Sequence, residues 1–200
     1  YFVTPSRLIV NEVFDSVSVT NTELMNTLLE PLVGNEQGVY IPSSIVGKTQ
    51  VFLLTKDSEF SKAYNSSTAS VTGINDAGKN CVFLTPPGYG LLSYVKSLGA
   101  SFTNEGLEDE IKDVLVNGLE LAPSAEVTRI ANHVYVRVGG LADTPMCKAM
   151  RPKGGKACYQ IGCPVCSFIS CMVVEGTGKR AMVSDVKSEK NAIVLTYTLL

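Results

Sequence analysis

Five of the six cysteines lie within residues 147–171, and this stretch has the residue types best suited to chemistry. Their spacing is Cys147-x10-Cys158-x4-Cys163-x2-Cys166-x4-Cys171. Thiolates bind metal ions, exchange disulfides and act as nucleophiles, and their reactivity depends on the local thiol pKa. The surroundings that the neighbouring residues create therefore decide what this cluster does.

A helix is predicted to begin directly after Cys163. Pro164 fits the first helical turn, where a missing N–H costs nothing, and residues 164–175 then continue to a closing glycine, Gly176. Cys163 and Cys166 therefore lie at the amino end of a helix, where the helix dipole and free N–H groups stabilise a thiolate. One face of this helix is small and thiol-rich, so another backbone or a ligand can come close; its residues are Cys163, Cys166, Ser167, Ser170 and Cys171.

Several interpretations of the cysteines remain open at this point. Cys163 and Cys166 form half of a tetrahedral zinc site, for which Cys147 and Cys158 are the candidate second pair, and zinc is then the candidate cofactor. The alternative is a set of disulfides drawn from all six residues, Cys81, Cys147, Cys158, Cys163, Cys166 and Cys171. Two further interpretations are that the thiols take part in redox exchange, or that they are buried and inert.

Composition places the chain among folded proteins of near-neutral charge. Its 200 residues suit a single domain, or at most two units over residues 1–80 and 81–200. A hydrophobic content of 45% and a charged content of 18% exclude general disorder. A net charge of −2 gives no electrostatic footprint for nucleic acid, so no nucleic-acid partner is expected. We find no unbroken run of apolar residues long enough to predict a transmembrane segment.

Weak signals favour an extracytoplasmic location over a cytoplasmic one. They are the low charge, the many Ser, Thr and Asn residues, the even number of cysteines, and a glycosylation sequon at Asn65.

Hydrophobic patterns predict an α+β fold, with a mixed or mainly antiparallel sheet and helices packed on it. Strands are expected over residues 13–19, 39–41, 50–55, 69–71, 81–84 and 132–138, and a closing hairpin over residues 180–186 and 192–199. Helices are expected after the capping box Thr20-x-x-Glu23, over residues 91–98, and from Asn104.

A ligand pocket is predicted from the helix face and nearby aromatic residues. Its candidate lining is Tyr89, Tyr94, Ser167, Phe168 and Ser170. The turn before Tyr89 contains two prolines and lacks the spacing of a phosphate-binding loop, so it is interpreted as structural. His133 is the single histidine and has no Ser or Asp motif beside it, which argues against a catalytic triad.

The carboxy-terminal third, residues 132–200, resembles the vinyl-reductase-like family of small-molecule-binding domains. The shared order is a strand, a cysteine-bearing loop with Cys147 and Cys158, a helix opening with Cys163-Pro164-Val165-Cys166, a glycine-containing turn and a final hairpin. This resemblance implies an α/β ligand-sensing domain, in some members with cysteine-bound zinc. The family's closing hairpin carries two further cysteines around a glycine, whereas residues 185–196 contain none.

Three hypotheses for function follow. The first is a non-catalytic small-molecule- or metal-binding domain of sensor type, whose ligand the sequence does not identify. The alternative is an extracytoplasmic structural or assembly protein that is stapled by disulfides and associates with itself. The third is a thiol oxidoreductase using Cys163 and Cys166, although the strand context of such enzymes is missing.

Overall fold

The computed structural model describes residues 11–56, 72–74, 80–150 and 156–200. The helices are α1 (Asn11–Leu29), α2 (Ser43–Val46), α3 (Tyr89–Ser97), α4 (Leu107–Asp113), α5 (Pro145–Met150), α6 (Lys156–Gln160) and α7 (Pro164–Thr177). The strands are β1 (Val39–Ile41), β2 (Gln50–Leu54), β3 (Thr72–Ile74), β4 (Asn80–Leu84), β5 (Ala125–Ile130), β6 (His133–Gly139), β7 (Ala181–Glu189) and β8 (Ala192–Leu199). A π-helical turn, Val114–Gly118, continues α4.

The eight described strands form one sheet in the order β3-β4-β2-β1-β7-β8-β6-β5. Every neighbouring pair is antiparallel. The sheet therefore joins strands from the beginning of the chain to the closing hairpin, with β1 paired to β7. The predicted α+β class is confirmed, as are strands β1 and β2 and the hairpin of β7 and β8.

Alternating side chains give the sheet one buried face. On β6 the side chains of Val134, Val136 and Val138 are fully buried, and on β8 those of Leu195 and Tyr197 are too. This period of two is what an antiparallel strand with one covered face requires.

Helix α7 is the central element of the covering layer. It contacts β1, β7, α3 and α4, and residues on both of its faces are buried. The stretch Lys156–Thr177, which contains α6 and α7, is long and apolar enough to cross a membrane by length and composition, and 78% of its 18-residue apolar window is buried inside the protein. The two helices are separate elements, so Gly162 and Cys163 interrupt the stretch, and such burial is also typical of a core helix.

The amino-terminal prediction was wrong. Residues 13–19 belong to α1 and not to a strand, and Thr20 and Glu23 lie inside that helix and do not open it. Thr20 instead donates its hydroxyl to the carbonyl of Ser16, one turn earlier, at 3.2 Å. The β-branched and hydroxyl residues favour a strand locally, but packing of α1 against α5 decides the outcome.

The end of α7 also differs from the prediction. Gly178, with φ of 64°, is the left-handed cap, while Gly176 lies inside the helix. A Cβ on Gly176 would come within 2.5 Å of Leu107 Cδ1, so this glycine permits the close approach of α4. The predicted strand over residues 69–71 and the sequon at Asn65 lie outside the described residues.

Candidate functional site

Three short helices bring four cysteines together at the start of α7. Cys147 lies on α5, Cys158 on α6, Cys163 immediately before α7 and Cys166 in its first turn. The sulfurs are close enough to affect each other's charge: Cys163 and Cys147 both raise the pKa of Cys158, after the larger effect of burial, to about 12. We call these four residues the thiol cluster.

The pKa of the Cys163 thiol is lowered, whereas those of Cys158 and Cys166 are raised. Cys163 caps α7, and its Sγ accepts the backbone N–H of Cys166 at 3.4 Å. The pKa of Cys163 is lowered mainly by a hydrogen bond with the Cys166 thiol, and backbone N–H groups at the helix start add to this against the effect of burial. The same thiol–thiol hydrogen bond, together with burial, raises the pKa of Cys166. Of this pair, the Cys163 sulfur is therefore the one whose surroundings favour a negative charge.

The six cysteines, all of which lie within the described residues, are thiols and not members of disulfides. Cys81, on β4, and Cys171, in the middle of α7, are both fully buried, and burial raises the pKa of Cys171 well above its ordinary value. Within the described residues, no three or more histidine, cysteine or carboxylate side chains are grouped as a metal ion requires. The donor types of the thiol cluster suit zinc, but their present arrangement does not fit it.

The serines of α7 serve a buried polar network. Ser167 accepts the backbone N–H of Gly88 at 3.1 Å, and Ser170 lies 3.2 Å from the Tyr197 hydroxyl and 3.0 Å from the Cys166 carbonyl. Burial raises the pKa of Tyr197 well above its ordinary value, so this phenol stays protonated. The small face of α7 is therefore approached by the backbone at Gly88. The sequence had indicated that either another backbone or a ligand would come close to this face.

The structure does not gather the five predicted pocket residues around one opening. Ser167, Phe168 and Ser170 are buried in the core, whereas Tyr94 is 40% exposed on α3. Tyr89 is half-buried, and the Lys48 ammonium lies over its ring at 4.5 Å from the centroid.

A cavity of about 430 Å³ lies between α1 and α6. Its polar lining comes from Asn26 and Glu30 near the end of α1 and from Lys156 and Gln160 of α6. Its apolar lining comes from Leu29, Ala157 and Ile161. Among the described lining residues there is no thiol, hydroxyl or imidazole. None of the predicted site residues in the described part of the chain lines this cavity. Its two walls are more than a hundred residues apart in sequence, so no local motif marks it.

The wall formed by α6 is fixed to the rest of the molecule. The Gln160 side-chain amide donates to the carbonyls of Gly34 at 2.8 Å and Glu36 at 3.2 Å, and the Ile161 carbonyl accepts the hydroxyl of Tyr40. These bonds hold the cavity in a preformed shape, as ligand pockets usually are.

Glu175, near the end of α7, was missed by the sequence analysis. Its side chain is 7% exposed and accepts the N–H of Ser43 at 2.6 Å, the Ser43 hydroxyl at 2.8 Å and the Thr49 hydroxyl at 2.7 Å. It also forms an ion pair with Lys96. Burial raises the pKa of Glu175, but these donors outweigh it and hold the pKa below its usual range. The sequence signal was a lone carboxylate ending an otherwise apolar helix.

His133 begins β6, on the sheet. Its Nδ1 lies 3.4 Å from the Thr198 hydroxyl, and its ring centre is 6.3 Å from that of Tyr135. The His133 ring therefore lies beside the Thr198 hydroxyl of the neighbouring strand and the Tyr135 ring of its own strand.

The fold and site together define an antiparallel α+β domain with a buried thiol cluster and a preformed cavity beside the same short helix. Over residues 1–198 the chain matches the family described as Domain of unknown function (DUF7982), and it belongs to that family. No curated protein and no solved structure matches the chain.

Proposed function

We propose that the protein is a non-catalytic small-molecule-binding domain of sensor type, and that its ligand occupies the cavity between α1 and α6. The observation that carries this proposal is the cavity itself, whose volume of about 430 Å³ lies within the range of small-molecule sites. The resemblance of residues 132–200 to a family of small-molecule-binding domains supports the same proposal.

The lining indicates the chemistry of the ligand. Leu29, Ala157 and Ile161 offer an apolar surface, and Lys156 and Glu30 place one positive and one negative group at the same opening. A ligand with an apolar body and an acidic group suits this surface, because the acidic group can pair with the Lys156 ammonium.

A fluorescent probe with this chemistry tests the proposal directly. Anilinonaphthalene sulfonate combines an apolar ring system with a sulfonate, and we expect saturable binding to the folded chain. Lys156→Gln should weaken binding about tenfold, which corresponds to about 1.4 kcal/mol, since the sulfonate loses a charge-assisted hydrogen bond. Ala157→Trp, which fills the cavity, should abolish it.

The matched control is Lys112→Gln, which removes an exposed lysine from α4, a helix that contributes none of the described cavity lining. It should leave the affinity unchanged. Equal binding by Lys156→Gln, Ala157→Trp and the native chain would show that the probe binds elsewhere and that the cavity proposal is wrong.

The thiol cluster supports a second candidate, the binding of a soft metal ion. Its four thiols are near enough to influence one another electrostatically, the N–H groups of α7 favour a thiolate at Cys163, and cysteine thiolates are preferred ligands of zinc. In this candidate Cys147, Cys158, Cys163 and Cys166 hold the metal after closing from their present positions.

Intact mass after alkylation, with and without reductant, beside a zinc assay of the native protein, separates the candidates. Six alkylated cysteines after unfolding without reductant, together with about one zinc per chain, would support the metal site. Cysteines that are alkylated only after reduction would favour the disulfide-stapled assembly protein. Free thiols without zinc would exclude both and leave the cavity as the binding site.

A further inference from the structure

We infer that α1 forms a parallel, two-stranded helical pair with α1 of a second copy of this chain. The observation is an apolar stripe of Val17, Leu24 and Leu28, whose side chains are 56%, 56% and 55% exposed. Large apolar side chains clustered in this way on a surface mark an interaction site, whereas single ones do not.

The stripe is separate from the surface that α1 uses within its own domain. At 100° per residue, Val17, Leu24 and Leu28 fall within an arc of about 40°. The side that packs on the domain carries buried Ser18, Thr22 and Leu29 and lies about 120° further round the helix. The domain therefore holds α1 by one face and presents the stripe on another.

The spacing of the stripe argues for a second copy as the occupant. Val17, Asn21, Leu24 and Leu28 follow the alternating steps of three and four residues that define the a and d positions of a coiled coil, with Asn21 at an a position. In the sequence Phe14 is the preceding member of the same series. An asparagine at a single a position pairs with the same asparagine across a parallel dimer and fixes its register.

The charges on α1 agree with this occupant. The positions that flank the a and d residues carry uncharged side chains, so two copies can approach without repulsion. Thr20 and Thr27 are exposed on one side, and Ser18 and Met25 lie on the side that packs on the domain. The acidic residues of α1 are Glu12, Asp15 and Glu23, and the helix contains no lysine or arginine. Helices that bind membrane surfaces usually carry basic residues on their polar face, which α1 lacks.

Sedimentation equilibrium of the full 200-residue chain over a range of concentrations tests this inference. We expect a reversible monomer–dimer equilibrium. Leu24→Glu should raise the dissociation constant at least about tenfold, because each pairing would bury two facing carboxylates. Asn21→Val should tighten association, since the buried asparagine confers register at a cost in stability.

Two controls keep the result interpretable. Ile130→Glu alters a side chain that is 60% exposed at the end of β5, and it should leave the dissociation constant unchanged. The thermal midpoint of each α1 variant at low concentration should match that of the native monomer, because the stripe is exposed. Val17→Ser, a milder change in the same stripe, provides the comparison if Leu24→Glu is less stable.

Three results would overturn the inference. The native chain could be monomeric at every concentration, or its dimer could be indifferent to Leu24→Glu and Val17→Ser. A monomer that sediments with phosphatidylcholine vesicles through the stripe would show that lipid, and not a second copy, covers it.

Discussion

Removing the Glu175 carboxylate should destabilise the fold far more than its single charge suggests. In Glu175→Ala, the Lys96 ammonium can return to water because its side chain is 41% exposed. The Thr49 hydroxyl cannot, since Thr49 is 1% exposed, and the Ser43 N–H at the start of α2 also loses its acceptor. Loss of an acceptor by the buried Thr49 hydroxyl and by the half-buried Ser43 N–H, at about 1–2 kcal/mol each, gives a total loss of about 3 kcal/mol. For a chain of this length that is a fall of about 9 °C in the melting temperature.

The assay is thermal and urea unfolding of Glu175→Ala beside a matched control. In the control, Glu110→Ala, the lost carboxylate accepts the N–H of Thr103 at 2.7 Å and its hydroxyl at 3.0 Å, but near the surface where water replaces it. We expect the control to lose about 1 kcal/mol or less. If the two variants lost equal stability, burial of the Glu175 contacts would not matter and this reasoning would be refuted.

The Glu175 carboxylate also makes the stability of the fold depend on pH. Because the pKa of Glu175 is lower in the folded chain than in the unfolded one, its contribution to stability is present above the unfolded pKa of about 4.3. It is lost as the pH falls through the folded pKa. The stability difference between the native chain and Glu175→Gln should therefore be largest near neutral pH and shrink under acid. A difference that stayed constant down to the acid transition would contradict the lowered pKa.

Two further changes test the packing around α7. Gly88→Ala places a Cβ 2.0 Å from the backbone nitrogen of Phe168, so it should cost about 2–3 kcal/mol in urea unfolding, whereas Gly90→Ala, with open space around it, should be neutral or slightly stabilising. Tyr197→Phe removes the hydroxyl partner of Ser170 and should lower stability by about 1 kcal/mol; an unchanged melting temperature would show that this hydrogen bond contributes nothing.

The helices and strands that could be predicted are marked by residue types within their own stretch of sequence. Proline after Cys163 gives the start of α7, and the alternation of Val134, Val136 and Val138 gives β6. Residues 13–19 have β-branched side chains at alternate positions, which favour a strand locally, and only contact with α5 makes them helical. Strand β5 was missed because the polar and charged residues Glu126, Thr128 and Arg129 leave it without a clear apolar alternation. Their partners lie on β6, which the local sequence does not reveal.

The site was less predictable because its parts are distant in sequence. The cysteine spacing predicted that Cys147, Cys158, Cys163 and Cys166 form one metal site, and this stays a prediction. The charges of Cys147, Cys158 and Cys163 do raise the pKa of Cys166. The cavity has no comparable signal, since Glu30 and Lys156 become neighbours only when α1 and α6 are both in place. A prediction that used aromatic residues to locate the pocket therefore favoured Phe168, which the fold uses for its core.

Helix α1 links the two proposals physically. Asn26, Leu29 and Glu30 line the cavity, while Leu24 and Leu28 of the same helix form the apolar stripe. A ligand that holds the end of α1 against α6 would already restrict the motion of this helix. Pairing would then cost less conformational entropy, so ligand binding and association would favour each other. Linkage requires the two effects to be equal: the factor by which dimerisation tightens ligand binding is the factor by which ligand tightens dimerisation. Probe titrations above and below the dissociation constant of the dimer measure that factor. Identical probe affinities in the two states would show that the cavity and the stripe act independently, although each could still be occupied.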